Sequence, residues 1–439
     1  VTTTYLRELD SRNYIGNVVI RILGQYFSIR QPDSGLVVLP DYNGLVNSVV
    51  INPTQIDIRR VSSTISQFSF KLVDQNRSVT ALIEGDASSF IDTDCEIWVG
   101  RSDVSMPFQN YFKLPTTRIK KIDYADGQYS FSTQEQTERI NRGLFQNATL
   151  LDVNILSATS SIDVGPEIAN FPDAGYIKIE NEIISYTGRD TFEQRFLNCI
   201  RGEFNTVPAS HDAGAQVYGL EYVEGNPIDV ALKLLISGGG GGQYDVLGDG
   251  CGLTPTLIDV AGMLELKDAE LPQVQIKAFL YQLNGLKWLE DEILTPFALR
   301  FTTSDESKLT LKQIDRLKVR PAGTEITNST IKGSPKWVVD ATRIVNQIEV
   351  QWDYSEGAGK YLYSSSFTDD ASLEKFGPKE KLSFKFKTLR ESLSGEEWVR
   401  GFADKLLRRL SRPTPEINLT THIDKSIHGP VDRVKVITD

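Results

Sequence analysis

Reactive side chains are scarce in this chain: its 439 residues include three cysteines, three histidines and two methionines. Cys95, Cys199 and Cys251 stand far apart, so they make neither a disulfide framework nor a C-x-x-C metal knuckle. Such usage fits synthesis in a reducing cytosol. His211, His422 and His428 have no H-E-x-x-H neighbourhood, and no G-x-S-x-G elbow supplies a nucleophile. No run of about 18 apolar residues occurs, which excludes a membrane-spanning helix. The opening VTTTYLRELDSRNYIG has neither the basic start nor the apolar centre of a signal peptide. It also lacks an initiator Met, so the chain is read as processed or trimmed. Its end falls inside a strand pattern, so the protein is expected to continue past Asp439.

Clustered cations are missing as well. The net charge is −11, and the basic runs Lys120-Lys121 and Arg408-Arg409 are short, reading as solvated faces. A general nucleic-acid binder is therefore excluded, because affinity for phosphate needs many cations together. The charge is uneven. Residues 221–306 carry 14 acids against 5 bases, whereas 373–439 carry 14 bases against 10 acids.

What is present is a globular composition, 40% hydrophobic and 24% charged, which rules out general disorder. The length allows about three domains at roughly 100–200 residues each. Residues 1–140 read as a β-barrel-like domain: NVVIRIL, SQFSFKLVD, CEIWVGR and RIKKIDYADGQYSFSTQ alternate apolar with polar residues. Asp126-Gly127 reads as a hairpin turn. Residues 141–223 form a small β module centred on GYIKIENEIISYTG, with Glu180-Asn181 between two short strands.

Residues 224–342 read as an α+β middle domain. NPIDVALKLLIS is a helix with Ile228, Val230, Leu234 and Leu235 on its apolar stripe and Pro227 in its first turn. LIDVAGMLELKDAE and QIKAFLYQLNGLKWLEDEILTPFALRF read as further helical stretches, and LRFTTSDESKLTLKQI as strand, turn, strand. Residues 343–439 read as a C-terminal β domain with one amphipathic helix. There Ser394 and Glu397 form a capping-box pattern, and Trp398, Phe402, Leu406 and Leu410 recur every four residues. EINLTTHIDKSIHGPVDRVKVITD reads as two strands around a turn near Gly429-Pro430. The fold class is thus mainly β with an α+β middle region.

The most conspicuous segment is SGGGGGQYDVLGDGCG, residues 237–252. A phosphate-binding P-loop needs G-x-x-x-x-G-K-[ST], but Gln243 and Tyr244 follow Gly242. A dinucleotide loop opens a helix after a strand, whereas this one follows a helix. Asp245 and Asp249 lack the alternating ligands of an EF-hand. The loop reads as a connector or a partner contact. Glu290, Asp291 and Glu292 are adjacent on a helical pattern and diverge. Trp98, Trp288, Trp337, Trp352 and Trp398 are scattered, which suits core positions better than a sugar platform. No catalytic, cofactor-binding or metal-ligating residue is assigned. The chain is expected not to be an enzyme and to need no cofactor.

The stretch GYIKIENEIISYTGRDT…LNCIRGEFNTVPASHDAGAQVY, 175–218, resembles the small β module of tail proteins from tailed bacteriophages. Glu182, Tyr186, Gly188, Arg201, Gly202, Thr206, His211 and Gly214 occupy the module's pattern positions. NPIDVALKLLISGGGGGQYDVLGDGCGL, WLEDEILTPFALRFTTSDESKLTLKQI, IVNQIEVQWDY and the Ser372–Gly377 S-x-x-x-F-G pattern resemble later regions of baseplate or tail-tip hub proteins. The resemblance covers most of 140–439, and the N-terminal residues fit by class.

It implies a multidomain hub of tube-like β domains with helix-bearing insertions. Such a hub is a structural ring, commonly a homotrimer, closing the distal end of the tail tube and allowing DNA passage at ejection. Its implied partners are copies of itself, distal-tail and tube proteins, and other baseplate or fibre proteins. Its implied location is the virion tail tip, after synthesis in the host cytoplasm. Some related tail-tip proteins hold iron–sulfur clusters, for which three cysteines are too few. The alternatives are a distal-tail ring protein and a host-binding or carbohydrate-degrading tail protein. The β module and the middle helices fit the hub better.

Overall fold

A computed structural model describes residues 16–32, 34–38, 42–52, 55–57, 62–64, 67–85, 87–101, 107–114, 116–240, 242–304, 308–313, 324–327, 331–339, 341–413, 415–421 and 434–437. The chain is mainly β, with several sheets and a few helices. It divides into two compact units. One gathers residues 1–138, 300–339 and 415–439, the other 139–299 and 340–414.

The first unit is built on one large sheet. Its strands are β1 (Gly16–Ile22), β2 (Gln25–Ser28), β3 (Val46–Asn52), β6 (Gln67–Val73), β7 (Asp94–Arg101), β8 (Phe112–Lys113), β9 (Thr117–Ala125) and β10 (Gln128–Gln134). The short strands β4 (Gln55–Asp57) and β5 (Ser62–Thr64) pair separately. The main order is β2-β1-β7-β9-β10-β6-β3, with β8 on β7. Period-two alternation places Phe68, Phe70 and Leu72 of β6 in one core with Ile20, Ile22, Ile97 and Phe131. Phe70 and Phe131 are direct cross-strand partners, their rings stacked at 4.9 Å. The β9–β10 turn is the expected one: Asp126 and Gly127 take φ of +52° and +73°, as a primed two-residue hairpin requires.

A helix at Ser78–Gly85, between β6 and β7, was not legible as part of a β pattern. Asp74 caps it by accepting the N–H groups of Val79 and Thr80, both at 3.0 Å, and Val79 and Ile83 enter the sheet's core. Also in this unit, Leu299–Thr303 pairs with Leu309–Gln313, as the strand–turn–strand reading requires. Ile331–Val339 pairs antiparallel with Pro415–Thr421, and Thr324–Thr327 pairs parallel with Val434–Ile437. The two last strands thus pair with earlier partners rather than with each other. The Gly429-Pro430 turn, His422 and His428 lie outside the described residues.

The second unit contains the small β module. Its sheet runs Ala148–Leu150, Gln216–Gly225, Gly175–Ile179, Glu182–Tyr186, and Ile276–Leu280 extends Gln216–Gly225. Glu180 turns the central hairpin at φ +50°. Helix Pro227–Ile236 follows, its first turn capped by Asn226, whose side chain accepts from Ile228 N. Ile228, Val230, Leu234 and Leu235 are buried as expected, together with Ala231, Leu232 and Ile236.

Three local elements differ from the sequence pattern. QIKAFLYQ is a strand rather than a helix: Ile276, Ala278 and Leu280 bury alternately against the open edge of Gln216–Gly225. The helix starts only at Gly285, where Asn284 caps it, and gives way to a π-helical turn at Glu290–Leu294. The Ser394 capping box is not formed. Ser394 sits in the left-handed region at φ +62° and makes no side-chain cap, because Gly395 begins the helix close against Trp352 and the Arg390 carbonyl. Helix Gly395–Leu410 buries Val399, Phe402, Ala403, Leu406 and Leu407, while Trp398 and Leu410 lie at the margins. A wider a/d/e stripe, and not an every-fourth ridge, meets the sheet of Lys360–Thr368, Val345–Ser355 and Glu380–Phe386. Phe402 meets Phe384 and Phe386 edge-on at 4.9 and 5.1 Å.

Candidate functional site

The pattern residues of the β module converge on one carboxylate. Glu182 opens a strand whose alternation turns its side chain inward, and only 1% of it reaches solvent. Its Oε1 accepts from Arg201 Nε at 2.7 Å and from Gly202 N at 3.2 Å. Its Oε2 accepts from Arg201 Nη2 at 2.6 Å and Ala209 N at 3.0 Å, and lies 2.8 Å from His211 Nε2. The other ring nitrogen of His211 lies 3.0 Å from Glu180 Oε2. Arg201 also donates to the carbonyls of Leu156 and Ala209, both at 2.6 Å. Burial works against the charge on Glu182, but Arg201, the Ala209 N–H and His211 hold its pKa below the ordinary carboxylate range.

The remaining pattern residues shape the backbone around that clasp. Thr206 Oγ1 accepts from Ile183 N at 3.0 Å and donates to Glu203 O at 2.8 Å. Tyr186 donates to Pro172 O. Gly202 has φ +73°, and a Cβ there would stand 2.7 Å from Pro208, so glycine is required at that turn. Both oxygens of Glu182 are thus taken up by groups of the 201–211 loop, which the clasp fastens to the strand Glu182–Tyr186. His211 bridges the two carboxylates of Glu180 and Glu182.

A second fastening holds the module to the hairpin that carries Glu356. Lys178 Nζ meets Glu356 Oε2 at 2.6 Å with both side chains buried, and Tyr281 stands beside them. At the same hairpin tip Gly357 packs against Thr206, and Gly359 against Asn181. Sequence reasoning missed this pair. A lysine in a half-buried strand and a glutamate in a polar turn carry no mark of their meeting.

The glycine-rich segment folds back as a compact loop over the end of helix Pro227–Ile236. Ser237 Oγ donates to Tyr244 O and accepts from Val246 N and Leu247 N. Asp245 accepts from Gly238 N at 2.8 Å. Asp249 accepts from Phe145 N and Gly250 N, both at 2.7 Å. Gly250 lies so close to Ser237 that a Cβ would stand 2.4 Å from the Ser237 carbonyl. The two aspartates are thus occupied by main-chain donors. Among the described residues no group of three or more His, Cys, Asp or Glu could hold a metal ion.

The acidic triplet diverges as read. Asp291 pairs with Lys287 in solvent, whereas Glu292 is buried and accepts from Lys387 N at 2.8 Å and Thr388 N at 3.0 Å. Burial pushes Glu292 up to about 7, against the pull of those two N–H groups. All three cysteines are buried free thiols, and burial pushes Cys199 up to about 11 and Cys251 up to about 12. Neither is poised as a thiolate.

No protein-family model matches the chain. No curated protein matches it. Among solved structures, the chain is similar to a tail protein from Neisseria meningitidis MC58, at 10% identity and a TM-score of 0.44, over 97% of this chain and 87% of that one. It is also similar to the 43 kDa tail protein of prophage MuSo2 from Shewanella oneidensis, at 8% identity and a TM-score of 0.38, over 96% and 87%. A third is the prophage tail protein gp18 from Listeria monocytogenes EGD-e, at 9% identity and a TM-score of 0.35, over 84% and 72%.

Proposed function

We propose that this protein is a structural component of a bacteriophage tail tip or baseplate. In this reading it is a hub ring, a homotrimer, that closes the distal end of the tail tube and lets DNA through at ejection. The observation that carries it is the clasp: the residues that resemble the tail-protein β module are the ones that meet around Glu182. Motif residues that fasten loops fit a scaffold, and no nucleophile or acid–base pair was assigned from the sequence. The protein acts by assembly and not by turnover. Its partners are copies of itself, distal-tail and tube proteins, and other baseplate or fibre proteins. The acid-rich middle of the chain suits a passage that DNA crosses without sticking, since a basic wall would bind it through counterion release.

Four measurements test this. The native mass should be three times the 49.1 kDa protomer, and labelling of intact virions should mark the tail tip. A sixfold mass, or label along fibres or the tube, overturns the hub reading. Release of sugars or peptides from purified cell envelope, abolished by one carboxylate substitution, overturns the non-enzymatic one. Micromolar or tighter binding of duplex DNA near physiological salt overturns the passage.

A further inference from the structure

We propose that two faces of this chain dock on one another between copies: a lysine–tyrosine patch at Lys385 and Lys387, and the acidic outer face of helix Val260–Glu270. The inference rests on the ring reading above and names the contact that would close the ring.

The first face lies at the end of strand Glu380–Phe386. Lys385 and Lys387 are exposed, and their ammonium groups stand 5.9 Å above the Tyr361 ring and 4.7 Å above the Tyr354 ring. Neither lysine makes an ion pair among the described residues. The surrounding carboxylates are already committed elsewhere. Glu349 holds Lys381 at 2.6 Å, Asp353 holds Arg390 at 3.2 Å, and Glu356 holds Lys178. Glu292 accepts the main-chain N–H of Lys387 and feels its ammonium charge without an ion-pair contact, and Asp291, near Tyr361, holds Lys287 at 2.9 Å. The two lysines are therefore positive charge left over on a half-buried aromatic platform.

The second face is on a helix with little burial. Of helix Val260–Glu270 only Met263 is fully buried, against the side facing helix Pro227–Ile236. Its outer side carries Ala261, Glu265, Asp268 and Ala269, all exposed, at the i, i+4, i+7, i+8 spacing of a single face. Lys267, the one cation of this helix, is turned to Asp229 at 3.2 Å. Two small side chains and two carboxylates leave a low, negative surface flanked by the half-buried Leu264 and Leu266.

Opposite charge makes the two faces partners, and both belong to the same compact unit. Because they are different patches of one chain, each copy presents one to the neighbour before it and the other to the neighbour after. Such heterologous contacts close into rings when the rotation allows. The charges would set orientation and speed docking, with the tyrosines and leucines supplying the apolar centre.

The test is a charge-reversal cycle on the full chain, read by sedimentation equilibrium. Lys385→Glu with Lys387→Glu should weaken self-association by about tenfold or more, as should Glu265→Lys with Asp268→Lys. The chain carrying all four changes should regain it. Lys385→Gln with Lys387→Gln gives the same direction with less perturbation, and unchanged melting temperatures show that the fold is intact. If the parent chain oligomerises and neither reversed pair changes its mass, this contact is overturned while the ring reading survives. If the reversed pairs dissociate the ring but the fourfold chain does not regain it, the faces do not meet each other. A parent chain that stays monomeric at every concentration overturns both.

Discussion

Lys178 and Glu356 are separated by 178 residues of sequence and by 2.6 Å in the folded chain. Their pairing fastens the small β module to the hairpin joining Val345–Ser355 and Lys360–Thr368. Removing one partner leaves a buried charge uncompensated, at about 3–5 kcal/mol, whereas replacing both with apolar residues of similar size is often close to neutral. Glu356→Leu should therefore destabilise the unit strongly, and Lys178→Met with Glu356→Leu should regain most of the loss. Amide exchange in 175–186 and 345–368 reads the result locally. Simple addition of the two single effects would mean that the pair holds nothing together.

The Glu182 clasp gives an acid-side prediction. Its folded pKa is depressed, so its contribution is present above the ordinary carboxylate value and is lost as pH falls through the folded one. Module amides should lose protection at low pH, and Glu182→Gln should lose it already at neutral pH, because Arg201 is then left without its bidentate partner. Unchanged protection in that variant would deny the clasp its fastening role.

Glu292 acts with the opposite sign. Its folded pKa is raised to about 7, so the native state holds a proton that the unfolded chain releases near the ordinary glutamate value. Stability from this group is full below the unfolded pKa and falls as pH rises toward 7, by about 3 kcal/mol for a shift of this size. Glu292→Gln should flatten that part of the stability–pH curve. A variant with the parent's slope between about pH 5 and 7 would count against this account.

Helix Gly395–Leu410 should be sensitive on its buried side only. Leu407→Ala or Phe402→Ala removes core contacts, with a cost of about 2–5 kcal/mol. Arg400, an exposed i,i+4 partner of Glu396, should tolerate alanine with a loss of only a few tenths of a kcal/mol, as surface pairs of this spacing do. Thermal unfolding of the variants compares them directly, and equal effects would contradict the packing.

The glycine-rich loop should respond as a fold element. Asp249→Ala leaves the Phe145 and Gly250 N–H groups without their acceptor, at about 1–3 kcal/mol for a buried donor. Added magnesium, calcium or nucleotide should leave the melting temperature of the parent chain unchanged. A ligand-dependent rise that disappears in the variant would restore a chemical role to the loop.

Local chemistry was legible in the residues themselves. The Asp126-Gly127 hairpin, the capped helix after Asn226 and the strand pair around Glu180-Asn181 follow from period, turn residues and caps, which act over a few positions. The module pattern marked Glu182, Arg201 and His211 as belonging together, but not that they share one carboxylate. Ile276–Leu280 shows where local reading fails: its apolar residues fit a helix or a strand equally, and the free edge of Gln216–Gly225 decided for the strand. The same holds for Lys178 with Glu356, for the pairing of Ile331–Val339 with Pro415–Thr421, and for the burial that raises Glu292. Sequence by itself determined the elements and their turns, because those depend on neighbours along the chain. Which strand edge is filled, and which charge is shut away from water, depends on residues brought close only by folding, so the tertiary structure alone decided them.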